Sequence, residues 1–165
     1  MNELEILKKA YSKETITTEI DFGNNIVGTL SLSDMNEITR EQGRIQDQKY
    51  DEYCEKGLKD KPINEKRWQK YLDSVSKKNQ EMIKKDKPTN LAEQYAEEDT
   101  RIIIITELVP KYLRKLTGEF LFPDTEKQIG FGQLLLNTPS LSRLVQDKII
   151  AMMSRVKDIR DTVKN

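Results

Sequence analysis

"RIIIITELVPKYLRKLTG", residues 101–118, decides how this chain is read. Four isoleucines stand in a row within a sequence that is 34% charged and only 36% hydrophobic. β-Branched isoleucine favours a strand locally. The flanking residues carry another period: Tyr95, Ile102, Ile105, Val109, Tyr112 and Leu116 recur at helical spacings. Ile103, Ile104 and Leu108 widen that stripe until the middle is apolar nearly all round. A helix of this kind belongs at the centre of a bundle. Pro110 has to kink it or divide it, and Gly118 is expected to close it. The run falls well short of the ~18 apolar residues a membrane span needs.

On the C-terminal side, "EFLFPD" reads as a short apolar loop. Thr125 to Gln128 matches a capping box that opens a short helix through Leu136. Thr138-Pro139 starts the last helix, with proline at its first position. There Leu141, Val145, Ile149, Met152, Val156 and Ile159 follow a nearly heptad stripe. On the N-terminal side, Asn90 and Glu93 resemble a second capping box. Before it, "KGLKDKP" and "KKDKPTN" are lysine-rich, proline-marked linkers. They bound a charged amphipathic helix at 64–85, capped by Asn64, with Trp68, Tyr71, Leu72, Val75, Met82 and Ile83 on one face.

Nearer the N-terminus, Ile16, Thr18, Ile20 and Phe22 alternate with polar neighbours, as do Ile26, Leu30 and Leu32 after Gly23-Asn24-Asn25. Period-two alternation about a Gly/Asn turn predicts a β-hairpin over 15–32. A lone hairpin is marginal in water, so it must pack on helices. Ser33 is the expected cap of a helix over 34–56 that Gly57 terminates. The expected fold is therefore mainly α: one domain over 1–165, a bundle of about five helices with a small N-terminal β-hairpin and a helical core at 91–161.

Composition narrows the chemistry. There is no histidine, which removes the commonest general base and zinc ligand. The single cysteine, Cys54, sits among acidic residues that disfavour a thiolate, and it permits no intramolecular disulfide. A reducing compartment, the cytoplasm, follows as the expectation. Glu97-Glu98-Asp99 reads as a solvated helix face, since three consecutive helical residues point in different directions. The glycines of "GFG", Gly130 and Gly132, lack the pattern of a phosphate loop and suit close packing or a loose turn. No catalytic, cofactor or metal residue is expected. Net charge is zero, and acidic residues interleave the lysines around Trp68, so nucleic acid is not the expected ligand.

What remains is an interaction protein. Trp and Tyr are enriched at binding hot spots, and flexible linkers would free the 64–85 helix as an arm. Trp68, Tyr71, Leu72, Val75 and Ile83 are therefore the candidate partner-binding residues. The competing reading folds that face back onto the bundle.

The order of features adds a family. "TEIDFGNNIVGTLSLSDMNEITREQ" runs from a hairpin straight into a helix. "LTGEFLFPDTEKQIGFGQLLLNTPSLSRLVQDKII" joins a short and a long helix through a proline-led cap. Over residues 15–55 and 100–160 this pattern resembles the small tail assembly chaperones of long-tailed bacteriophages. The resemblance implies a mostly helical protein with a short N-terminal β element and no catalytic residues. Its implied partners are the phage tape measure protein and the tail-tube protein, with a second copy of the chain as a further candidate, in the host cytoplasm. The alternative from another class is a small phage or bacterial inhibitor or regulator that docks on a host protein.

Overall fold

The computed structural model describes residues 2–4 and 17–164.

Thr15 and Ile16, the first two residues of the expected 15–32 hairpin, lie outside the described residues, as do the side chains of Val156 and Ile159.

The chain is mainly α, a helical bundle with a small antiparallel sheet near its N-terminus. Strands β1 (Thr17–Asp21) and β2 (Val27–Ser31) pair with Ile20 opposite Gly28. Gly23, Asn24 and Asn25 all take positive φ, the turn that glycine and asparagine tolerate best. Ile20 and Leu30 are fully buried. A Cβ on Gly28 would lie 2.6 Å from Leu113 Cδ2, so the glycine lets Leu113 lie against the sheet.

Helix α1 (Leu32–Glu55) begins two residues before the expected start at 34. Ser31, the last residue of β2, is the N-cap: its Oγ accepts the Asp34 N–H, and Asp34 Oδ2 accepts the Ser31 N–H, both at 3.1 Å. Gly57 follows the helix with φ +79, as a terminating glycine does. The expected helix at 64–85 is two helices, α2 (Glu65–Asp73) and α3 (Lys77–Lys84). The chain extends at Ser76, whose N–H goes to Asp147 Oδ1 at 3.2 Å.

The isoleucine run is helical. Helix α4 (Leu91–Ile103) passes into a π turn (Ile104–Leu108) and a last turn, Val109–Tyr112. Pro110 has no N–H for the Thr106 carbonyl four residues back, and its ring crowds that carbonyl. The wider turn relieves this, with the Val109 N–H reaching Ile104 O. Ile104 and Ile105 are buried, but Ile102 is 45% exposed, so the run is not apolar-packed all round.

Gly118 does not close this helix. Tyr112 does, and residues 113–121 form a tight hairpin inside the expected 91–161 helical core. Lys115 donates its N–H to Glu119 O (2.7 Å), and Gly118, φ +91, donates to Lys115 O (2.9 Å). This is a three-residue hairpin loop with glycine in the left-handed position. Arg114 exchanges backbone hydrogen bonds with Thr29, extending the sheet beyond β2. Its guanidinium pairs with the buried Asp34 at 3.1 Å.

Helix α5 (Thr125–Asn137) is capped by Asp124 rather than Thr125; Asp124 Oδ1 accepts the Lys127 N–H at 2.8 Å. Helix α6 (Pro139–Lys164) starts at the expected proline. The main core joins Ile20, Leu30, Met35 and Ile38 to Ile104, Ile105, Val109, Leu113, Leu135, Val145 and Ile149. No helix among the described residues is long and apolar enough to cross a membrane.

Candidate partner-binding surface

The five candidate residues separate into two groups. Trp68, Leu72 and Val75 are buried, though outside the main core cluster. Tyr71 and Ile83 are half-buried and line cavities. The segment carrying them is fastened at both ends. Asn64 and Gln94 exchange two hydrogen bonds, at 2.7 and 2.9 Å. Arg67 Nε donates to Glu98 Oε1 at 3.2 Å. Arg143 of α6 donates to the carbonyls of Ser74 and Asp73, at 3.0 and 2.8 Å, and Asp147 accepts from Asn79 Nδ2 at 2.8 Å. Pro88, in the second linker, is buried.

Tyr71 and Arg101 form the centre of the surface. The Arg101 guanidinium lies 3.5 Å from the Tyr71 ring centroid, and the Trp68 ring is 5.8 Å from Tyr71. Such stacking is a cation–π contact. Burial pushes the Tyr71 hydroxyl above its ordinary range, with Arg101 opposing.

Two large depressions meet at this pair. On one side is a polar cleft of about 480 Å³, lined by Trp68, Ile83, Asp86, Lys87, Glu93 and Glu97 among others. Burial pushes the Glu97 carboxyl up to about 7; Arg101 opposes this, and Glu93, Asp86 and Glu98 add to it. On the other side is an open groove of about 530 Å³ between α2 and the α5–α6 junction. Its lining includes Ile102, Ile105 and Leu136, with Arg67, Lys70, Glu98 and Arg101 as its charged residues. Ile102 and Leu136 are 45% and 38% exposed.

Glu97-Glu98-Asp99 is thus not a plain solvated face. All three are half-buried, and each faces a different neighbour: the cleft, Arg67, and the Tyr53 hydroxyl. Asp99 and burial push that hydroxyl up to about 12. Cys54 is half-buried on α1. Among the described residues, no three His, Cys, Asp or Glu side chains gather as a metal site would require.

Sequence reasoning passed over Arg101, Ile102 and Leu136 as surface residues. Arg101 opens the isoleucine run, and a cation beside so apolar a stretch was the available signal. Comparison with protein-family models, curated proteins and solved structures finds no match to this chain.

Proposed function

We propose that this chain is a non-catalytic interaction protein, a tail assembly chaperone of a long-tailed phage. It holds the tape measure protein in the host cytoplasm while the tail tube assembles around it. The observation that supports this reading is the groove in which Ile102 and Leu136 stay exposed between helices. A long helical client offers apolar stripes that such a groove can cover.

Co-expression with the tape measure protein tests the reading. The client is expected to co-purify with the chain and to remain in the supernatant on centrifugation. A client that pellets equally with and without the chain, and is not retained by it, overturns the proposal.

A further inference from the structure

The groove has a charge that the whole chain lacks. Its charged lining residues are Arg67, Lys70 and Arg101 against Glu98 alone, three cations to one carboxylate, on a chain of zero net charge. Glu98 is already paired with Arg67. Lys70 has no ion-pair partner among the described residues, and Arg143 beside the groove gives its donors to backbone carbonyls. The Asp73 carboxylate, on the same helix, accepts from Gln69. Across the Tyr71–Arg101 pair, the balance reverses: the cleft carries three carboxylates, Asp86, Glu93 and Glu97, against Lys87 and Arg101.

We infer that the groove takes an amphipathic helix with an acidic flank. Aliphatic side chains of that helix cover Ile102, Ile105 and Leu136, and its carboxylates face Lys70 and Arg101. The groove walls are helices, whose backbone groups are internally bonded, so there is no open strand edge for an extended peptide to join. Recognition falls to side chains, as in helix-in-groove docking. The carboxylates decide register and partner choice, because like charge opposite Lys70 is repelled. This rests on the client-binding reading and names the chemistry of the client.

The test uses two synthetic helical peptides of about 20 residues, long enough to hold helix in water. Both carry one Leu/Ile stripe; one is flanked by Glu and the other by Lys. Fluorescence anisotropy is expected to show the Glu peptide binding about tenfold or more tightly, with the difference shrinking in high salt. Lys70→Glu should remove that preference, and Ile102→Asp should weaken both peptides. Both positions are exposed, and unchanged circular dichroism melts would show the variants folded. Equal affinity for the two peptides, no binding of either, or a preference that survives Lys70→Glu overturns the inference. If the tape measure protein co-purifies equally with the parent and both variants, the client reading stands and the groove assignment falls. If the Glu peptide binds and the tape measure protein is not retained, the groove stands and the client reading falls.

Discussion

Gly132→Ala opposes two effects of known sign. Alanine is favoured over glycine in a helix interior by about 1 kcal/mol, so propensity alone makes the variant more stable. The structure reverses this. A Cβ at Gly132 would lie 2.0 Å from the Thr106 carbonyl oxygen and 2.7 Å from its carbon. Carbon–oxygen contacts close to about 3.3 Å, so α5 has to retreat by about 1.3 Å. Both sides of the contact are backbone, and the retreat would loosen buried Phe131 and Leu135. Overpacking of this kind costs about 1–3 kcal/mol, and the rigidity of both partners sets it at the upper end. The net expectation is a loss of about 2 kcal/mol. Gly130, in the same helix, meets nothing within 4 Å, so Gly130→Ala should gain about 1 kcal/mol. Urea denaturation of the pair reads a gap of about 3 kcal/mol. A Gly132→Ala midpoint at or above that of Gly130→Ala would refute the close approach of α5 to the π turn.

Glu97→Gln should change the pH dependence of stability. The folded carboxyl keeps its proton to about 7, against an unperturbed 4.5, so the folded chain binds more protons between those values and loses stability as pH rises through them. After discounting for solvent contact, the variant should exceed the parent by about 1–2 kcal/mol near pH 8 and match it near pH 4, measured by denaturation at each pH. Trp68→Ala should cost about 3–5 kcal/mol of global stability; a near-parental midpoint with weakened self-association by sedimentation would restore the mobile-arm reading.

The helices with a clean period and a cap were legible: Asn64, Asn90 and Pro139 stand where their helices begin. Errors arose where two neighbouring residues could cap equally, as at Ser31 against Ser33 and Asp124 against Thr125. At the first, a tertiary partner chose between them, since Asp34 can satisfy Ser31 and Arg114 together. The hairpin at 113–121 was hidden because Leu113 and Leu116 continue a helical spacing, and its pairing partner, β2, is remote in sequence. The groove was illegible for a similar reason. Ile102 reads as core by composition, and only the packing of its neighbours leaves it outside.

The bridge between Thr29 and Arg114 spans 85 residues. During synthesis at about 5–20 residues per second, β2 therefore waits roughly 4–17 s for the strand that covers its second edge. For that interval the nascent chain carries an open hairpin edge, and the Asp34 carboxylate has no guanidinium beside it. Completion of the N-terminal unit is thus timed by the emergence of a segment from the far half of the chain.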